Sequence, residues 1–320
     1  MDEHGRIGWG VLGAARIARE RWLPGLAAAK DAYLVAVGAR NQANAEAVVA
    51  EAGAGRAYGS WRAVLEDPEV DAVYNPLPNS LHREWTLAAL AAGKHVLCEK
   101  SLVTSVAEVD ELAAAAAAAG RVLMEAFMYR FHPQFRPAAW QPLLEQLGEL
   151  RYGHARFAFE LDRPADIRWQ AALGGGALWD IGCYCLNVLL WQLGEVTGVR
   201  AAGEVIDDGV DRAGAATLEF AGGALASAWW SFAAPSQQRL ELLGSRGRLE
   251  VDRPFLGTGE IRLVVGERVR AWTPPPSNQY QLEIEHVGRV IRGEEPLAYP
   301  LAETRRWIAV AEEVRRQLVG

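Results

Sequence analysis

Cysteine is scarce in this sequence of 320 residues: there are three, Cys98, Cys183 and Cys185. An odd number, with two of them one residue apart, excludes an ordinary disulfide scaffold and points to a reducing cytoplasm. Six histidines show no recognisable zinc spacing and the cysteines make no Cys-x-x-Cys pair, so no metal site is expected. Residues 1–12 begin with Asp2 and Glu3 and never reach a long apolar run, so neither a signal peptide nor a transmembrane span is read there. A surplus of positive charge is also missing. With a formal net charge of -7 the chain carries no sequence-wide footprint for a phosphate backbone or an anionic membrane. Neither nucleic acid nor membrane is an expected partner, and no internal repeat is visible.

What remains is ordinary globular composition: half hydrophobic, 23% charged, with 32 glycines and 15 prolines. A chain of this length exceeds what one core usually fills, so two domains are expected. Over residues 1–127, short apolar runs alternate with helical stretches, the pattern of βαβ units around a parallel sheet. The strands are Ile7–Leu12, Tyr33–Ala39, Ala72–Asn75, His95–Cys98 and Val122–Ala126. Asn79 or Ser80 caps one helix, and Ser105 with Glu108 forms a capping box before an alanine-rich helix that Gly120 stops. Over 128–320 the texture changes to longer alternating segments, 154–160, 216–220 and 224–232, then a hairpin around Gly244-Ser245-Arg246-Gly247 and a run at 261–265. The expected fold is α/β: an N-terminal Rossmann domain, then an α+β domain on a large open, mostly antiparallel sheet. Trp307, Val310, Val314 and Leu318 add an apolar helical stripe.

A literal Gly-x-Gly-x-x-Gly occurs at Gly8, Gly10 and Gly13, but its first two glycines fall inside the first strand, where no phosphate can lie. Dinucleotide binding needs the motif at the strand-to-helix turn, where backbone amides and the helix N-terminus face the pyrophosphate. The register that meets this need is Gly13-Ala14-Ala15-Arg16-Ile17-Ala18, with Ala15 and Ala18 in place of the second and third glycines. A tight turn without ligand is the competing reading. The second strand ends in Ala39-Arg40, without the acid that an NAD site usually places on the ribose, so Arg40 is expected to meet the 2′-phosphate of NADP. A solvated loop arginine is the alternative.

Oxidising an alcohol releases a hydride and a proton, so the site needs a proton acceptor beside the cofactor. Lys100 sits just past the strand His95–Cys98, at the sheet edge where open α/β proteins bind ligands; a surface Glu99–Lys100 pair is the plainer explanation. The segment from Gly174 to Tyr184 is more specific. Three glycines let backbone pass close to a ligand, and in a helix Asp180 and Tyr184 share one face. Asp180 would then hold Lys100 while Tyr184 bonds the substrate hydroxyl. A core tyrosine beside a capping aspartate is the alternative.

Taken together, GAARIA at 13–18, NPLPNSLH at 75–82, HVLCEK at 95–100 and GGGALWDIGCY at 174–184 resemble the Gfo/Idh/MocA oxidoreductases over nearly the whole chain. The branch with dimeric dihydrodiol dehydrogenase, NADP-dependent xylose dehydrogenase and glucose-fructose oxidoreductase is nearest, because Tyr184 stands where inositol dehydrogenase-like members carry histidine. The resemblance implies a sheet that often makes a homodimer interface. It also implies Lys100 and Tyr184 as catalytic residues, Asp180 in support, and Leu77, Pro78, Asn79, His82, Glu99 and the Arg168–Trp169 pair lining the cofactor. Its usual Glu-Lys-Pro reads Glu99-Lys100-Ser101 here, which loses a backbone restraint on the lysine. Met128 stands where relatives often carry an aromatic pocket residue. The implied function is hydride transfer between NADP, or NAD, and a carbohydrate-like hydroxyl or carbonyl; a dinucleotide-binding sensor without turnover is the competing class.

Overall fold

The structure, a computed structural model, describes every residue but Asp207 and Asp208. Among the described residues the chain divides into two units, Met1–Phe131 with Asn278–Arg305, and His132–Ser277 with Arg306–Gly320. The expected boundary at 127/128 thus shifts by four residues, and a late segment returns to the first unit. The cause is the helix α8 (Gln279–Ile291), whose Ile284 and Val287 are fully buried. It packs on the short helix α1 (Leu23–Ala28) at Gly25, where a Cβ would lie 2.9 Å from that of Tyr280.

The first unit is built on a parallel sheet, order β3-β2-β1-β4-β5-β6. Its strands are β1 (Ile7–Leu12), β2 (Ala32–Gly38), β3 (Arg56–Tyr58), β4 (Ala72–Asn75), β5 (His95–Glu99) and β6 (Leu123–Ala126). Strands β1, β4 and β6 are buried at every position, so apart from Asn75 in β4 and Glu125 in β6 they read as continuous apolar runs rather than alternating ones. The short β3 carries no such run, being exposed or half-buried throughout, and was not expected. Gly8 and Gly10 belong to packing. A Cβ at Gly8 would lie 2.4 Å from the Glu69 carbonyl oxygen, and one at Gly10 the same distance from a Val64 methyl. The capping box is as expected: Ser105 Oγ accepts from Glu108 N at 3.3 Å, Glu108 accepts the Ser105 hydroxyl, and Gly120 ends the helix with φ 61°.

The second unit carries an eight-stranded sheet, order β14-β13-β12-β11-β7-β10-β9-β8. Its strands are β7 (Leu150–Ala158), β8 (Val196–Val205), β9 (Asp211–Phe220), β10 (Leu225–Ser231), β11 (Gln237–Gly244), β12 (Gly247–Asp252), β13 (Ile261–Val265) and β14 (Arg268–Trp272). Every pairing is antiparallel except β7 with β10. The two outermost strands, β8 and β14, are exposed or half-buried throughout and lack a clean apolar alternation, so sequence pattern missed them. One face is covered by the helical stretch 177–193, and Trp230 lies under it, fully buried between Gly182 and Gly214. Successive strand residues point to opposite faces, so Trp230 enters the core while half-buried Trp229 joins a mixed outer face beside Arg156. The stretch Ala171–Leu193 is long and apolar enough to cross a bilayer, but 78% of its apolar window is buried, as in a core helix. In the same unit Trp307 packs edge-on against Trp179, at 6.3 Å between ring centroids.

Candidate active site

In the first unit three loops leave the carboxyl ends of the adjacent strands β1, β4 and β5, the crevice where doubly wound sheets take ligands. Gly13 opens the first with φ 120°, which glycine tolerates and other residues resist. Its N–H donates to Gly38 O at 2.7 Å, and a Cβ in its place would meet a Leu77 methyl at 3.2 Å. Residues 16–28 then run helically, so the amides around Ala14, Ala15, Arg16 and Ile17 form a first turn without intrahelical acceptors. A turn that only glycine enters easily, followed by amide donors without intrahelical acceptors, suits a pyrophosphate. Ala39, at the end of β2, is buried and donates its N–H to Tyr58 O, whereas Arg40 is exposed.

The second loop is tied to the third by one ring. Asn75 Oδ1 accepts from Leu77 N at 3.3 Å, and Pro78 precedes a helix that starts at Asn79 without a side-chain cap. Fully buried His82, on that helix, sets Nε2 2.7 Å from Leu77 O and Nδ1 2.8 Å from Ser101 O. Burial drives its pKa down to about 4 against the pull of these carbonyls, so the neutral ring donates to one of them. Beyond β5, Glu99 accepts the Tyr74 hydroxyl at 2.6 Å and the Lys100 amide at 3.3 Å. The Lys100–Ser101 peptide is cis. With no proline at 101, the backbone is held instead by His82 at Ser101 O and by fully buried Glu125, which accepts Leu102 N at 2.8 Å. Glu125 is itself fixed by the hydroxyls of Thr304, at 2.8 Å, and Tyr299, at 3.3 Å. Met128 is buried in the same unit.

The second unit holds the remaining predicted residues. Gly176, with φ 126°, leads into the helical stretch; a Cβ there would stand 2.4 Å from Asp211 Oδ1. The stretch opens with a π turn, Leu178–Gly182, before the α-helix Cys183–Leu193, so it is not the regular α-helix expected. Asp180 lies in its first turn and accepts from Arg168 Nε at 2.6 Å, and Arg168 also reaches Asp166 at 3.1 Å. Within this unit, then, Asp180 is held by Arg168, a residue expected only to line the cofactor. The Asp180 carboxylate raises the Arg168 pKa further. Trp169 packs edge-on against Phe232. Tyr184 is 6% exposed, its ring against Phe157 at 5.6 Å and Phe255 at 5.0 Å.

Sequence reasoning missed Asp211. Fully buried, it accepts Leu178 N at 2.7 Å and Trp230 Nε1 at 2.8 Å, and so anchors the turn that carries Asp180 and Tyr184. Burial pushes its pKa up, since these two donors only partly replace lost hydration. It missed Glu125 for the same reason: a lone carboxylate in a strand has no local pattern. A cavity of about 580 Å³ in this unit, lined by Arg156, Gln237, Arg239, Asp252 and Arg253 among others, contains none of the predicted residues.

Residues 7–127 match the profile of an oxidoreductase family with an NAD-binding Rossmann fold, and residues 145–250 match the GFO/IDH/MocA C-terminal domain. The chain is 37% identical over 295 residues to a D-xylose 1-dehydrogenase (NADP(+)) of Haloferax volcanii, covering 90% of each. It is 30% identical over 325 residues to the trans-1,2-dihydrobenzene-1,2-diol dehydrogenase of Mus musculus, covering 97% of this chain and 96% of that one. Among solved structures it resembles KijD10, a 3-ketoreductase from Actinomadura kijaniata in complex with NADP and TDP-benzene. The TM-score is 0.89 at 34% identity, with 98% of both chains covered.

Proposed function

Because the chain belongs to the Gfo/Idh/MocA family of oxidoreductases, we propose that it moves a hydride between NADP(H) and a hydroxyl or carbonyl carbon of a sugar, polyol or diol. The observation that carries this reading is the meeting of the Gly13 turn, the 75–79 loop and the Glu99–Lys100 loop at the carboxyl ends of three neighbouring strands. The nicotinamide, when bound, supplies or takes the hydride. The Gly13 turn and the amides after it hold pyrophosphate, and exposed Arg40 meets the 2′-phosphate, which makes NADP the preferred form. Leu77, Pro78, Asn79, His82, Glu99, Arg168 and Trp169 complete the cofactor-lining set.

Lys100 and Tyr184 exchange the proton with the substrate oxygen, with Asp180 in support. Aromatic packing on Phe157 and Phe255 fixes the Tyr184 ring, so its hydroxyl is presented with little freedom left to lose. The Arg168 ion pair orients the Asp180 carboxylate. Substrates of the D-xylose and dihydrodiol dehydrogenases define the class tested first. The protein is also proposed to work as a homodimer. On the outer sheet face Leu225, Tyr152 and Leu243 stand opposite one another on β10, β7 and β11, at 49%, 38% and 45% exposed, an apolar row that a second copy covers.

Tyr184→Phe tests the chemistry, because it keeps the ring packing and deletes the hydroxyl. With aldoses and diols as substrates and NADPH absorbance as readout, kcat falls at least about a hundredfold while NADPH affinity survives. Near-normal turnover, with hydride transfer shown to be rate-limiting by a deuterated substrate, removes Tyr184 from the role. Dinucleotide binding without turnover of any substrate points instead to a sensor.

A further inference from the structure

In the second unit three aromatic rings touch one another. Tyr184 meets Phe255 at 5.0 Å between centroids and Phe157 at 5.6 Å, while Phe157 and Phe255 stack 5.5 Å apart with 20° between their planes. Phe157 sits on β7 and Tyr184 in the helix Cys183–Leu193, so regular hydrogen bonding fixes both backbones. Phe255 has no such support: it lies in the turn between β12 and β13, and whatever holds that turn decides where its ring stands. Arg253 opens the turn at φ 46°, a left-handed conformation that a residue with a Cβ adopts only under constraint. Its carbonyl accepts from Leu256 N at 3.1 Å and Gly257 N at 3.0 Å, which closes the turn on itself. The side-chain bond nearest Phe255 comes from Gln134. That buried amide donates from Nε2 to the carbonyl of buried Pro254 at 2.8 Å. Gln134 is fixed in turn, because its own N–H donates to His132 Nδ1 at 3.2 Å and the ring of Phe135 packs on Trp140 and Trp191, at 4.7 and 5.5 Å. At the far end of the turn Gly257 closes onto the same residue, where a Cβ would lie 2.3 Å from His132 Cδ2.

We propose that Gln134 is a positioning residue for Tyr184: its bond to the Pro254 carbonyl sets Phe255 against the tyrosine ring. Proline has no N–H, so that carbonyl is the one backbone group of Pro254 that can be hydrogen-bonded. Removing the Gln134 donor strands it in the interior. The turn relieves this by moving outward, where the exposed residues Arg253 and Leu256 offer no resistance. Phe255 moves with it, and Tyr184 loses that side of its packing. The tyrosine hydroxyl then samples positions away from the substrate oxygen, which lowers kcat and leaves the cofactor's affinity alone.

The effect on catalysis rests on the role proposed above for Tyr184, so the first readout is independent of turnover. In the whole protein made with fluorotyrosine, the fluorine resonance of Tyr184 is the one missing from Tyr184→Phe. In Gln134→Leu, which keeps buried bulk and cannot donate, that resonance shifts and broadens while those of the first unit's tyrosines stay in place. Phe255→Leu leaves the hydrogen bonds of the turn intact and moves the same line. A Tyr184 line unmoved in either variant overturns the proposal. The second readout is kinetic. Gln134→Leu loses about tenfold in kcat with NADPH affinity unchanged, and costs nothing further in a Tyr184→Phe background. Losses that multiply in the double variant place the effect of Gln134 elsewhere and also overturn it. A moved line together with near-normal turnover in Tyr184→Phe refutes the tyrosine's part in the chemistry and leaves Gln134 as the residue that places its ring.

Discussion

Asp211→Ala strips the acceptor from two buried donors at once, the Leu178 amide at 2.7 Å and the Trp230 indole at 2.8 Å. Each buried donor left unsatisfied costs about 1–3 kcal/mol, so the gross loss is about 2–6 kcal/mol. Part of this is returned, because Asp211 itself sits uncomfortably. Its pKa is raised in the folded protein, chiefly by burial, so the fold binds its proton more tightly than the unfolded chain does. Stability from this group therefore falls as pH rises from the ordinary carboxylate range through the folded pKa, and alanine removes that slope. A net loss of roughly 2–4 kcal/mol lowers Tm by about 4–15 °C for a unit of this size. Tryptophan fluorescence and circular dichroism report the melt, and kcat reports the turn that carries Asp180 and Tyr184. Asp211→Asn keeps one acceptor oxygen and loses less. Gly176→Ala adds an internal check, since its Cβ would fall 2.4 Å from Asp211 Oδ1. In the Asp211→Ala background that clash is gone, and the glycine substitution costs less than in wild type, leaving only the φ penalty. An Asp211→Ala protein that melts with wild type, or additive costs in the double variant, refutes the reasoning.

Three further outcomes are expected. Arg40→Ala weakens NADP binding about tenfold or more and spares NAD, as fluorescence titration will show; an equal loss for both cofactors removes Arg40 from the phosphate role. His82, neutral in the fold with a pKa of about 4 against an ordinary 6.5, takes up a proton on unfolding, so stability rises with pH between about 4 and 6.5 and is lost on acidification. The His82 share of that slope is about 3 kcal/mol, measurable as urea midpoints at both ends of the window and absent in His82→Gln. Light scattering gives a dimer that Leu243→Arg dissociates; a monomeric wild type at micromolar concentration refutes the pairing and returns Tyr152, Leu225 and Leu243 to ordinary surface.

The N-terminal sheet was legible because a strand buried on both faces leaves a continuous apolar run, and β1 and β4 end where they were expected to end. The outermost strands β8 and β14, and the weak β3, were not, since exposure erases the contrast that pattern reading needs. The Gly13 register was readable against the literal glycine motif by one argument, that a phosphate cannot lie inside a strand, and the contacts of Gly8 and Gly10 agree with it.

Local chemistry thus determined the Rossmann unit, the turn at Gly13, the Glu99–Lys100 loop and the glycine-led helix with Asp180 and Tyr184, because each is a contiguous pattern with its own backbone requirement. Tertiary structure alone decided what holds them. Glu125 reaches from β6 to the lysine loop, Thr304 and Tyr299 reach back to Glu125, and Asp211 steadies a turn more than thirty residues before it. A single buried acid has no period and no neighbouring motif. Its meaning comes from the donors it meets, and those are set only when distant segments pack.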